Sequence, residues 1–194
     1  MARPREFDVD SALESAMQTF WAKGYEATSV DDLCESTGLG RSSLYAAFGD
    51  KRQLYLSALD RYEEHAATRV AAALAGQLPI QVSIKSFLGR IIDDIVAGSG
   101  RRGCFIGNCA AEIPRGDRTA VNQVRRSLAR VERVFAEALA GAMDRGEIDA
   151  GSDVTALARF LTSGIQGLRL VGKANPDRNA LDDIAMVMLR ALEV

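Results

Sequence analysis

Thr28-Ser29-Val30-Asp31-Asp32-Leu33-Cys34-Glu35-Ser36-Thr37-Gly38-Leu39-Gly40-Arg41-Ser42-Ser43-Leu44-Tyr45-Ala46-Ala47-Phe48-Gly49-Asp50-Lys51 is the stretch that decides the fold. Ser29 has N-cap chemistry, and Asp32, three residues on, supplies the carboxylate of a capping box. Val30, Leu33 and Cys34 then mark one helical face, and Gly38 supplies the left-handed residue that stops the helix. After the turn Leu39 and Leu44 point to a core, which leaves Arg41, Ser42, Ser43 and Tyr45 free. Phe48-Gly49-Asp50 closes this second helix, and Asp50 with Gln53 caps the next. Two short helices crossing at a glycine turn, the second with a polar outer face, have the grammar of a helix-turn-helix. Cys34 falls where the crossing permits only a small side chain.

The flanks agree. Upstream, Leu13, Ala16, Met17, Phe20 and Trp21 recur at helical spacing until Gly24, and Phe20 and Trp21 are expected to pack against the helix-turn-helix. The segment from about Phe7 to Tyr62 resembles the DNA-binding domain of the TetR/AcrR family of bacterial transcription regulators. Thr28-Ser29-Val30, Thr37-Gly38-Leu39, Ser43-Leu44-Tyr45, Phe48 and Asp50-Lys51-Arg52 carry the likeness, in order and at the family's spacing. The family often has Ser where Gly40 stands and a bulky aromatic or His at Ala46 and Ala47. An operator sequence therefore does not transfer from a relative.

Composition bounds the alternatives. The chain has 194 residues, 47% hydrophobic and 26% charged, as in ordinary globular proteins. Its net charge is −2, and residues 1–62 are themselves acidic. DNA affinity must therefore come from local placement of Arg41, Lys51 and Arg52, not from bulk charge. A single histidine, no paired acid motif, no glycine-rich phosphate loop and no metal-ligand spacing leave nothing to run enzyme chemistry or hold a cofactor. The polar start, Met1 to Asp10, carries no apolar run and no segment is long and apolar enough for a membrane, so a cytoplasmic protein is expected. Three cysteines fit a reducing compartment.

Every periodic stretch has a helical period, and the spacing predicts an all-α chain of about nine helices. After the first three, helices are expected over 51–75, 80–97, 104–112, 117–145, 154–171 and 181–192. Gly98 to Gly103 reads as a linker, and Gly172 to Asp177 as a break. Residues 1–50 form the expected three-helix DNA-binding domain, and residues 51–194 the effector-binding and dimerisation domain. The resemblance implies that the fourth helix joins them and transmits ligand binding to DNA.

The candidate DNA contacts are Thr28, Arg41, Ser42, Ser43, Tyr45, Ala46 and Lys51. Arg41 suits a guanine edge, Ser42 and Ser43 a base or phosphate, and Ala46 a thymine methyl. Tyr45 resembles the family's phosphate-binding tyrosine. Thr28 and Lys51 sit at helix starts, where backbone N–H groups favour phosphate. Ala2-Arg3-Pro4-Arg5 reads as an arm for the minor groove or as a loose terminus.

One helix-turn-helix buries too little surface for tight specific binding, so a homodimer on a palindromic double-stranded operator is expected. Two stripes supply the interface: Leu157, Phe160, Leu161, Gly164, Ile165 and Leu168, then Leu181, Ile184, Met188 and Leu192. The resemblance further implies a repressor released by a small-molecule effector held between the fourth and eighth helices. The candidate lining is Tyr62, His65, Phe87, Ile91, Ile95, Cys104, Phe105, Asn108, Phe135 and Gln166. Gly103-Cys104-Phe105-Ile106-Gly107-Asn108-Cys109-Ala110-Ala111-Glu112 is similar to a segment of the TetR subfamily that includes the N-ethylmaleimide-responsive repressor. That likeness implies a second possibility, a redox or electrophile sensor at Cys104, whose thiol Arg101, Arg102 and a helix start would acidify. Cys104 and Cys109 lie about 140° apart on a helix, too far round for an internal disulfide. A third possibility is an all-α ligand-binding protein without DNA-binding activity.

Overall fold

The computed structural model describes residues 8–112 and 116–192. Among them are nine α-helices and one short 3-10 turn, with no strand. The helices are α1 (Val9–Lys23), α2 (Val30–Thr37), α3 (Arg41–Phe48), α4 (Lys51–Leu74), α5 (Ile80–Ala97), α6 (Phe105–Glu112), α7 (Arg118–Asp144), α8 (Val154–Ala174) and α9 (Arg178–Arg190).

Local chemistry sets most boundaries. Ser29 and Asp32 form both bonds of the expected capping box, and Gly38 stops α2 in a left-handed conformation, φ 70°. Asp50 caps α4 by accepting from the Gln53 N–H, and Asp117, Asp153 and Asp177 cap α7, α8 and α9 in the same way.

Glycine was misleading at two places. The expected linker after α5 is instead a 3-10 turn, Ser99–Arg102, folded back onto the end of α5. A Cβ on Gly100 would lie 2.8 Å from the Ile95 nitrogen, so only glycine permits that approach. Gly172 is not a break but a buried position inside α8. It lets α8 close onto α5, where an added Cβ would sit 2.7 Å from Ile95 Cγ2.

Two apolar clusters form the core. The first joins α1, α2 and α3 to the front of α4, and takes in Phe105, Ile106 and Cys109 of α6 and Val124 of α7. The second lies among α5, α7, α8, α9 and the end of α4. Helix α4 thus begins in one cluster and ends in the other. Phe105, buried, meets Tyr55 and Tyr62 edge to face at 5.5 and 5.7 Å between ring centroids. Phe20 packs in the first cluster against Tyr55 as expected. Trp21 packs at the edge of the same cluster, meeting Tyr62 of α4 at 4.9 Å and carrying the Arg102 guanidinium on its ring.

A polar seam separates α4 from the start of α7. Buried Glu63 accepts from the Ser127 hydroxyl at 2.8 Å, with Arg130 at 3.9 Å, and Gln123 bonds Asp60. Gln123 and Ser127 are buried and Val121 is exposed, because α4 offers carboxylates at that level.

Candidate nucleic-acid interface and ligand cavity

Buried Leu33 and Leu44 clamp α2 to α3, and α3 then shows Arg41, Ser42, Ser43, Tyr45 and Ala46 to solvent. Gly40 precedes α3 with no side-chain cap, so the first-turn N–H groups are not taken by a residue of their own helix end. Arg41 is not idle. Its guanidinium bonds Asp31 of α2 at 2.8 Å, and that carboxylate holds its pKa above the ordinary arginine value. Lys51 stands 4.4 Å from the centroid of the Tyr25 ring, half-buried at the start of α4. Lys23 bonds Asp32, and Arg52 bonds Asp117 at 2.6 Å. Each of these cations reaches a phosphate only by leaving or sharing its present partner.

Thr28 is a correction. It is fully buried, and its hydroxyl donates to the Gly24 carbonyl at 2.6 Å, so its side chain serves the α1–α2 turn and not a phosphate. The Ala2–Arg5 arm lies outside the described residues.

Two contacts tie this surface to the other helices. The Arg52–Asp117 pair joins the first turn of α4 to the cap of α7, and the Tyr25 N–H donates to Glu112 at the end of α6.

Between α1, α4, α5, the 3-10 turn and α8 lies a cavity of about 660 Å³. Its lining includes Trp21, Arg69, Phe87, Arg90, Ile91, Asp94, Ile95, Arg102 and Arg169. A smaller one beside it is lined by Tyr62, Val70, Cys104, Thr162, Ile165 and Gln166, and shares Arg69, Phe87 and Arg169 with the first. Six sequence candidates therefore line this space: Tyr62, Phe87, Ile91, Ile95, Cys104 and Gln166. The other four do not. His65 is turned outward to Glu14 at 3.8 Å, and Phe135 is wholly buried in the second cluster. Phe105 is spent on the two tyrosines, and Asn108 bonds the Arg102 carbonyl and Lys173. Sequence reading missed the arginines. Arg69 lies seven residues beyond Tyr62, two turns along one helix face, and that spacing was the available signal.

Cys104 is buried, with the Tyr62 hydroxyl donating to its sulfur at 3.7 Å. Burial first, then Cys104, push the Tyr62 hydroxyl above the ordinary tyrosine value. Arg102, expected to acidify the thiol, is instead bonded to Gln18 and stacked on Trp21. Burial pushes the Cys109 thiol up.

The interface stripes need revision as well. Leu161, Ile165, Leu168, Leu181, Met188 and Leu192 are buried within this one chain, because the most apolar stripe goes to the nearest core. Gly164 admits Met188 of α9, whose Cε would lie 2.6 Å from an added Cβ. Phe160 remains exposed, and Leu157 and Ile184 are half-buried. One step round the helices, Leu170, Val171, Met186 and Val187 are also exposed and were missed.

Comparison with known proteins decides the family. Residues 12–58 match the model for bacterial regulatory proteins of the tetR family, and residues 84–188 match the tetracyclin repressor-like C-terminal domain. The chain is 36% identical over 190 residues to the HTH-type transcriptional repressor ComR of Escherichia coli, covering 97% of this chain and 90% of ComR. It belongs to the TetR family of transcription regulators. The uncharacterized HTH-type regulator YezE of Bacillus subtilis is 31% identical over 194 residues, with both chains fully covered. A cysteine variant of the regulator CifR, solved with 26-bp double-strand operator DNA, superposes with a TM-score of 0.86 at 28% identity, covering 98% of this chain and 100% of CifR. As in that family, α2 and α3 are the helix-turn-helix of this regulator, and no catalytic family is indicated among these relatives. Among the described residues no helix is long and apolar enough to cross a membrane.

Proposed function

We propose that this TetR regulator is a homodimeric repressor that grips a palindromic operator with α3 and lets go when a small molecule fills the cavity beside α4. The observation that carries this reading is the outer face of α3. Arg41, Ser42, Ser43, Tyr45 and Ala46 are all exposed, while buried Leu44 and half-buried Phe48 anchor the helix. Residues 1–50 are the reading unit and residues 51–194 the sensing and pairing unit, acting in the cytoplasm. A second copy covers Phe160, Leu170, Val171 and Val187, which an isolated chain leaves in water. The two copies of α3 then enter successive major grooves, about 34–36 Å apart.

Duplex DNA from upstream of the regulator's own gene supplies the test. Retardation in a gel, weakening as salt rises, is the expected result. No retardation at low salt refutes the reading and leaves an all-α ligand binder. A monomer in light scattering at micromolar concentration refutes the dimer.

One observation favours a role for Cys104 as well, since its residue lines the smaller cavity and an electrophile entering there meets it. On this second reading Cys104→Ser abolishes release by N-ethylmaleimide; unaltered release removes it.

A further inference from the structure

The cavity beside α4 has the wrong charge for this chain. Net charge over the protein is −2, yet the charged side chains of the larger cavity are Arg69, Arg90, Arg102 and Arg169 against Asp94 alone. Arg102 is committed to Gln18 and Trp21, and Arg90 has a long bond to the Ser86 hydroxyl at 3.4 Å. Among the described residues neither Arg69 nor Arg169 has a carboxylate partner. These two also line the smaller cavity, so they stand where the two spaces meet. The Arg69 guanidinium carbon lies 5.8 Å from the centroid of the Tyr62 ring, and Tyr62 lines the smaller cavity together with both arginines.

Two unsatisfied polar groups mark the same space. The Trp21 indole N–H, on the larger cavity, and the Thr162 hydroxyl, on the smaller, are buried with no hydrogen-bond partner. Buried polar atoms without partners are rare in folded proteins, and each calls for a cause. Ser83, Ser86 and Ser99 also line the larger cavity, and Phe87, Ile91 and Ile95 of α5 give it an apolar side. A volume of about 660 Å³ falls within the range of pockets that enclose small organic ligands.

We propose that this cavity binds an amphipathic carboxylate, its head between Arg69 and Arg169 and its apolar body along Phe87, Ile91 and Ile95. Guanidinium forks match a carboxylate with two parallel bonds, which a neutral head cannot use and a cationic head would oppose. The proposal rests on the reading of this space as the effector site, and it adds a route to DNA. Arg69 is on α4 and Arg169 on α8, so the bound head bridges the two helices. Helix α4 starts directly after α3, and any shift that the bridge favours is delivered to the reading head.

Trp21, the only tryptophan, reports on the cavity wall without any DNA present. The full chain is titrated with decanoate, 1-decanol and decyl phosphate while Trp21 fluorescence is followed. Decanoate is expected to saturate with an affinity about ten- to a hundred-fold above decanol. Arg69→Gln and Arg169→Gln are each expected to remove most of that preference and leave decanol binding unchanged. Arg169→Lys, which keeps the charge and the apolar stem, keeps part of it; this variant serves if a Gln variant melts early by circular dichroism. Equal affinity for decanoate and decanol, or a preference that survives in folded Arg variants, overturns the proposal. Tighter binding of decyl phosphate than of decanoate overturns the carboxylate assignment. The gel assay above is separate: retarded DNA with no head-group preference sinks this inference alone, and the reverse result sinks the regulator reading alone.

Discussion

Gly172→Ala sets two effects of known sign against each other. Alanine is the better helix former by up to roughly 1 kcal/mol, and Gly172 lies in the last turn of α8, so propensity alone makes the variant more stable by part of that. Packing opposes it. The new Cβ would stand 2.7 Å from Ile95 Cγ2 and 2.8 Å from Cδ1, against an ordinary contact of 3.4 Å or more. Ile95 is 1% exposed and part of the second cluster, so a shift of its side chain disturbs the contacts it makes there. Overpacking of this kind costs about 1–3 kcal/mol. The balance is a loss of about 1 kcal/mol, or a fall in melting temperature of about 2–4 °C for a domain of this size. Urea and thermal unfolding followed by circular dichroism measure it. Ile95→Val removes Cδ1 and relieves half of the clash, so the double variant should lose about 0.5–1 kcal/mol less than the two single losses added together. An alanine variant more stable than wild type, or a double-variant cycle with no coupling, refutes the claim that this glycine holds α8 against α5.

Phe105→Ala removes a wholly buried ring from between Tyr55 and Tyr62 and should cost about 3–5 kcal/mol in urea unfolding; a loss below 1 kcal/mol would show that α6 is not anchored there. Arg41→Ala should weaken operator binding about ten- to a hundred-fold and relax one base position, read by fluorescence anisotropy on a set of single-base operator variants; unchanged affinity and specificity would strike Arg41 from the reading face. The Lys23 hydrogen bond first, then the Ser29 backbone and hydroxyl, hold the Asp32 carboxyl at about 2, below its ordinary 3.8. What this carboxylate contributes is therefore complete above the ordinary value and lost as the pH falls through 2. Acid unfolding of wild type should be steeper across that window than that of Asp32→Asn, and superimposable curves would contradict it.

The parts of this molecule legible in sequence are those that local chemistry fixes. Ser29, Asp32 and Gly38 announce α2 because capping and a left-handed stop involve only near neighbours. The outward face of α3 follows from Leu44 and its helical period. What failed depends on the neighbour across a gap. Gly172 looks like a helix breaker until Ile95 is seen opposite, and Gly100 looks like a loose linker until α5 is seen beneath it. The pairing stripes were misplaced in part for a related reason: periodicity finds the most apolar face, and Leu161 and Leu168 turn it into their own chain, while Phe160 of the expected stripe and Leu170 outside it are exposed. The arginines of the cavity were invisible because a charge on a helix usually faces water, and only the fold places Arg69 and Arg169 on the wall of one cavity.

The bond between Arg41 and Asp31 bears on how such a protein finds its target. A bacterial chromosome offers millions of wrong addresses, and every one of them displays the same phosphates. A reading head whose arginine already has a carboxylate at hand gains little by settling on such an address, so it departs quickly. Only a base edge that engages the whole guanidinium fork, together with its neighbours on α3, repays the exchange. With Arg41 as the proposed reading residue, its pairing with Asp31 would keep idle copies off the bulk genome and leave them available to scan it.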